Sequence, residues 1–138
     1  MRISPYLSFN GNCADAVAFY EKAFDVKPDI MRYKDAPPEN GYQTPDGTEN
    51  FVMHAQFEIG GEIIMLCDMP PDIPLKTGDN FAIMAEFDDV DTLNKVFDAL
   101  KEGGEVDVEP QQTFWSNCFG ALTDKFGINW NFSLGCPQ

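Results

Sequence analysis

The sequence predicts an α+β fold in which paired βαβββ modules form a curved mixed sheet around a cavity. Two observations carry that reading. Segments of strand-like alternation and segments of helical periodicity follow one another in the same order twice. The two passes also superpose. A shift of 78 places Ile3, Pro5, Leu7 and Phe9 on Phe81, Ile83, Ala85 and Phe87, and a shift of 77 places Ala16, Phe19, Tyr20 and Ala23 on Leu93, Val96, Phe97 and Leu100. One helix and four strands cannot bury both faces of their sheet, so two such modules have a reason to pair around a shared cavity. The expected organisation is a single domain over 1–138, with modules at about 1–70 and 78–138.

In chain order, Ile3, Pro5, Leu7 and Phe9 alternate with polar neighbours and predict a first strand. Asn10-Gly11-Asn12 breaks it, with Asn12 placed to cap a helix over about 13–25 whose buried stripe includes Ala16, Phe19, Tyr20 and Ala23. Residues 30–33 predict a short strand. Residues 35–50 hold three Pro and two Gly, a long loop of the kind that is often functional. Phe51, Met53, Ala55 and Phe57 predict one face of the next strand, and Gly60-Gly61 turns the chain into the returning strand 62–67. The Pro-rich stretch 68–79 reads as a linker.

The second module opens on a strand at 81–87. A helix follows over about 90–102, striped by Leu93, Val96, Phe97 and Leu100 and ended by Gly103-Gly104. Val106 and Val108 mark a strand, the aromatic-rich run 113–122 predicts another, and Ile128, Trp130, Phe132 and Leu134 predict the last.

Composition sets outer limits. The chain has 138 residues, 43% hydrophobic and 13% aromatic, enough to fold without staples and too aromatic to be disordered. Lys+Arg is 9 against Asp+Glu 23, a formal charge of −14. Binding to nucleic acid or to an anionic membrane surface needs the opposite balance, so neither is expected as a partner. The N-terminus lacks a signal-peptide pattern, no apolar run is long enough to cross a bilayer, and Cys13, Cys67, Cys118 and Cys136 form no CxxC pair. A cytoplasmic protein with reduced thiols is expected.

The stretches SPYLSFNGNCADAVAFYEKAF (4–24), HAQFEIGGEIIMLCDMP (54–70) and QTFWSNCFGALTDKFGINW (112–130) together resemble the vicinal oxygen chelate superfamily. That superfamily takes in glyoxalase I, extradiol dioxygenases and the bleomycin- and fosfomycin-resistance proteins, and the closest resemblance is to its PhnB-like branch. The resemblance implies the fold predicted above, a homodimer, and in the enzymes a divalent metal held by His, Gln or Glu from the first and last strands of each half. By spacing, those places fall near Pro5, Met65, Ala82 and Asn131, with Asn80 and Phe81 adjacent. Neither Pro, Ala nor Phe is a ligand, and Met and Asn are poor partners for a hard or borderline ion. No metal and no cofactor are therefore expected. The name 3-demethylubiquinone methyltransferase, attached to some PhnB-like proteins, draws no support, because no Gly-rich nucleotide loop follows the first strand.

These readings leave two main functions, with a role in dimeric interaction alone as a third. The first is a metal-free protein that binds a small molecule in an apolar cavity, lined by Trp115, Phe114, Met65, His54 and Asn131, with Met53, Met84 and Trp130 as further candidates. The second is a lyase or dioxygenase that depends on a metal or on His54, the one histidine, as catalytic acid/base. Each aromatic and methionine also has a plain reading as core, and Cys67 and Cys118, among apolar neighbours, read as buried inert thiols. Cys67 and His54 share a hairpin, but spacing alone does not set them opposite one another. Glu86, Asp88, Asp89 and Asp91 read as an exposed strand end and first helical turn.

Overall fold

The structure, a computed structural model, describes residues 1–36 and 44–135. The chain forms two compact units, Met1–Lys76 and Thr77–Gln138.

Unit 1 runs β1 (Tyr6–Phe9), α1 (Cys13–Phe24), β2 (Asp29–Arg32), a short 3-10 turn (Tyr33–Asp35), β3 (Val52–Ile59) and β4 (Glu62–Asp68). Its sheet has the order β1-β4-β3-β2, with β1 parallel to β4 and the other pairs antiparallel. Unit 2 runs β5 (Ile83–Phe87), α2 (Val90–Lys101), β6 (Glu105–Gln111), β7 (Phe119–Thr123) and β8 (Asn129–Leu134), in the order β5-β8-β7-β6 with the same directions. The two βαβββ units are thus topological copies, and the offset of 77 maps α1 onto α2 end to end. The α+β fold class read from the sequence stands.

Each helix covers one face of its own sheet. In unit 1, Ala16, Val17, Tyr20 and Ala23 of α1 bury against Leu7, Phe9, Ala55, Phe57, Ile64 and Leu66. In unit 2, Leu93, Val96, Phe97 and Leu100 of α2 bury against Ile83, Leu122, Trp130 and Phe132. Burying about twenty apolar side chains at 1.5–3 kcal/mol each supplies the main force holding both layers. No helix among the described residues is long and apolar enough to cross a membrane.

Several local expectations change. β1 and β5 start at Tyr6 and Ile83, not at Ile3 and Phe81, because β4 and β8 offer ladder partners only from there on. Ile3 is consequently 87% exposed. The face predicted for β3 breaks at its start: Met31 pairs with His54 while Arg32 pairs with Val52, so a bulge turns Val52 into the core and leaves Met53 half-buried. The run 113–118 is a turn, not strand. Thr113 and Ser116 close it, with the Thr113 backbone N–H donating to the Ser116 carbonyl at 2.9 Å.

Asn12 does not cap α1 with its side chain. The buried carboxylate of Asp68, at the far end of β4, does that work: its Oδ1 accepts from the Gly11 and Cys13 amides at 2.8 and 2.9 Å, and its Oδ2 from Val52 at 2.9 Å. By contrast α2 is capped locally, Asp89 accepting from the Thr92 amide at 2.7 Å. Past α2, Gly103 takes a left-handed turn at φ +75, and Gly104 lies so close to β7 that a Cβ would overlap the Thr123 carbonyl oxygen. Of the long loop predicted at 35–50, residues 37–43 lie outside the described residues, as does Cys136. The described remainder is tied down by Tyr33 and Lys34 amides bonding to Phe51 and Glu49 carbonyls.

Candidate functional site

Strand alternation places one set of side chains on the face of each sheet turned away from its helix. In unit 1 the register builds this face as two rows. Ser8 pairs with Cys67, and Met31 with His54; Tyr6 pairs with Met65, Met65 with Gln56, and Gln56 with Asp29. His54 is half-buried at the centre of hydrogen bonds. The Tyr6 hydroxyl lies 3.2 Å from its Nδ1, and its Nε2 lies 3.1 Å from Gln56 Oε1. The Gln56 carbonyl oxygen only accepts, so Nε2 carries the hydrogen and Nδ1 presents its lone pair to the phenol O–H. The Tyr6 pKa is raised, first by burial and then by the negative charge Cys67 would carry. The Ser8 Oγ lies 4.0 Å from Cys67 Sγ. On the other side of the sheet the Cys13 thiol is pushed well up by burial, then by the Asp68 carboxylate, and stays inert.

In unit 2, Met84 pairs with Asn131 and Asn131 with Ala121; in the next row Glu86 pairs with Ser133 and Ser133 with Phe119. Trp115 stands edge-on to Phe119 with ring centroids 5.4 Å apart, and edge-on to Phe114 at 4.7 Å. Phe114 is 97% exposed and Trp115 53%, so neither is a core residue. Ser116 beneath them bonds Ser133 Oγ at 2.9 Å.

The sequence candidates thus fall into two groups. His54 and Met65 share the open face of unit 1; Asn131, Trp115 and Phe114 share that of unit 2. Met84 joins the second group. Trp130 does not: it is core, its Nε1–H donating to the buried Asp124 carboxylate at 2.9 Å. Cys118 is buried as expected, but Cys67 is only half-buried and stands on the open face beside Ser8. Tyr6 and Cys67 are the members that sequence reasoning missed. Their signal was positional: Tyr6 stands on the polar side of β1, and a two-residue turn at Gly60-Gly61 sets the hairpin register.

The pairing also shows which residues stand at the positions that the resemblance gives the metal. The register sets Tyr6, not Pro5, beside Met65, and Met84, not Ala82, beside Asn131. A phenol with a thioether and a thioether with a neutral amide do not suit a hard or borderline divalent ion. Among the described residues no three of His, Cys, Asp and Glu gather at metal-holding spacing. The residues present do not fit the metal of the superfamily's enzymes.

Comparison with known proteins bears on the whole chain. A family model described as Glyoxalase/Bleomycin resistance protein/Dioxygenase superfamily matches residues 2–132. Protein YjdN of Escherichia coli K12 is 33% identical over 145 residues, covering 97% of this chain and 95% of that protein. The crystal structure of protein PA1353 from Pseudomonas aeruginosa superposes with a TM-score of 0.86 at 30% identity, over 97% of both chains. A Bacillus cereus protein described as a putative 3-demethylubiquinone-9 3-methyltransferase, PhnB protein, superposes at 0.78 with 25% identity, covering 98% of this chain and 100% of that one. With this match, its repeated βαβββ topology and PhnB-like neighbours, the chain belongs to the glyoxalase/bleomycin resistance protein/dioxygenase superfamily.

Proposed function

We propose that this chain is a metal-independent small-molecule-binding protein that receives its ligand on the open sheet faces. One observation carries the reading: the paired positions Tyr6/Met65 and Met84/Asn131 hold groups that contact an organic molecule well and a divalent ion poorly. Tyr6, His54 and Asn131 offer hydrogen bonds; Met65, Met84, Trp115 and Phe114 offer apolar and aromatic surface. The net charge of −14 favours a neutral or cationic ligand over an anion. Methyl transfer forms no part of this reading, since β1 leads into Asn10-Gly11-Asn12 and not into a glycine-rich nucleotide loop.

The test has two arms. Elemental analysis of protein purified without chelator or affinity tag, before and after dialysis against Ni²⁺, Zn²⁺, Mn²⁺ and Fe²⁺, is expected to find no stoichiometric ion. N-phenyl-1-naphthylamine, a neutral planar apolar probe, is expected to bind and to quench Trp115, with affinity falling in Trp115→Ala. A stoichiometric ion, or a probe that does not bind, overturns the proposal. The Tyr6–His54–Gln56 chain favours one second reading, a metal-free lyase with His54 as general base. A turnover lost in His54→Ala would establish it. The same proposal takes the protein to be a cytoplasmic homodimer, with light scattering in solution as the check on the dimer.

A further inference from the structure

Unit 2 holds two large aromatic side chains at the surface and fixes them there. Phe114 and Trp115 are exposed, although burial of such rings is favourable. The turn that carries them is braced from below. Ser116 Oγ donates to the Cys118 carbonyl at 2.8 Å and lies 2.9 Å from Ser133 Oγ on β8, and the Ser116 amide donates to Thr113 Oγ1 at 3.1 Å. Trp115 is thus built into its place, tilted at 71° to Phe119 of β7 and at 84° to Phe114. Two rings at nearly a right angle, with centroids 4.7 Å apart, make a corner whose walls are both π faces. The face is the negative part of an aromatic ring, so one positive charge within about 6 Å of both centroids is attracted by both.

The charges of the unit point the same way. Phe119 pairs with Ser133 and Ser133 with Glu86, which sets a carboxylate two strands, about 10 Å, from the aromatic end. Glu86 is exposed and has no cationic partner among the described residues. Further along, Asp107 accepts from Thr123 Oγ1 at 3.3 Å. No Lys, Arg or His stands on β5, β6, β7 or β8 or in the turn 112–118. The lysines of the unit lie elsewhere. Lys95 and Lys101 are on α2, which covers the other face, with Lys101 paired to Asp98 at 2.9 Å; Lys125 lies in the turn before β8, over the Phe126 ring. A face with carboxylates and no balancing cation attracts positive charge over about a Debye length, 8–10 Å.

We propose that the unit 2 face binds organic cations, with an alkylated ammonium group seated in the Phe114–Trp115 corner and Glu86 as its counter-charge. The proposal rests on the small-molecule-binding reading and narrows its ligand class. A metal ion or a bare ammonium is strongly hydrated, and aromatic faces replace that water poorly. A quaternary ammonium spreads its charge over methyl groups, which are weakly hydrated and pack directly on the rings. Met84, exposed beside Asn131, gives the rest of such a molecule apolar surface.

The test compares choline with 3,3-dimethyl-1-butanol, its neutral isostere, as ligands of the full-length protein. Each compound has one methyl singlet, and its broadening in ligand-observed NMR gives the affinity. Choline is expected to bind about ten-fold more tightly than the isostere. Trp115→Leu is expected to abolish that preference. Glu86→Gln is expected to reduce it about two-fold, the effect of one charge ~10 Å away in water. Both residues are exposed, and circular dichroism checks that each variant is folded. N-phenyl-1-naphthylamine, titrated alongside, separates this proposal from the reading it rests on. Choline binding no better than its isostere to protein that binds the naphthylamine overturns the cation assignment alone, and no binding by any of the three compounds overturns both. A folded Trp115→Leu that keeps the wild-type preference also overturns the assignment.

Discussion

The two units share one topology and hold it together differently. In unit 2 the fixing contacts are local: Asp89 caps the helix three residues ahead, and Asp124 gathers the Phe126 and Ile128 amides and the Trp130 indole within six residues. In unit 1 one carboxylate, Asp68, joins the helix start, the start of β3 and the end of β4 across as many as 57 residues. The open faces differ as well. Unit 1 presents titratable groups, Tyr6, His54 and Cys67; in unit 2 the matching rows hold Met84, Asn131 and Ser133, with Glu86 at the rim. A repeated fold thus fixes where side chains stand without fixing what they do.

The sharpest way to break the comparison is Asp68→Ala. It leaves two buried amides, Cys13 and Val52, and the part-buried Gly11 amide without their acceptor and is expected to cost about 3–5 kcal/mol, read by urea unfolding and by lost exchange protection at Cys13 and Val52. Gly104→Ala strikes unit 2 by a different route, overlap with the Thr123 backbone, and is expected to cost about 3 kcal/mol in the same assay. Asp124→Asn keeps one oxygen acceptor for the turn but sets an NH2 donor against the Trp130 indole N–H, which loses its acceptor. A loss of about 1–2 kcal/mol is expected, with a change in indole fluorescence.

The smallest effect sharpens the contrast between caps. Asp89→Ala is expected to lower the melting temperature measurably, and Asn12→Ala is not, since Asn12 gives α1 no side-chain bond. The Asp89 effect depends on pH. Its pKa is lowered by the Thr92 amide and hydroxyl, so its contribution is present above the unfolded value of about 3.9 and fades as pH falls through the folded one. Wild type and Asp89→Ala are therefore expected to converge in melting temperature below pH ~4 while differing at pH 6.

The same contrast explains how much was legible in the sequence. Helix and strand identities were, because they rest on periodicity over a few residues: Leu93, Val96, Phe97 and Leu100 all bury as their spacing predicts. Asp89 was read only as part of an acidic first turn, and the structure makes it the cap of α2. What failed was non-local or rested on a one-residue offset. Asn12 has the right chemistry for a cap, yet Asp68 takes the place from another strand. The bulge opposite Met31 reverses the parity of Val52 and Met53 without any Gly or Pro to announce it. Phe114 and Trp115 read as strand by residue type, while the Thr113–Ser116 contact makes them a turn. Of the candidate site, His54, Met65, Asn131 and Trp115 were individually visible. Their partition between two faces, and the Tyr6 phenol beside His54, required the register.

The long reach of Asp68 has a consequence for a chain made from its N-terminus onward. Helix α1 leaves the ribosome with its first amides unsatisfied, and the carboxylate that will receive them is synthesised 55 residues after Cys13. At roughly 5–20 residues per second, that is a delay of about 3–11 s, long enough for any apolar surface nearby to compete for the helix. The second half makes Asp89 before the helix it caps, and its start has no such interval.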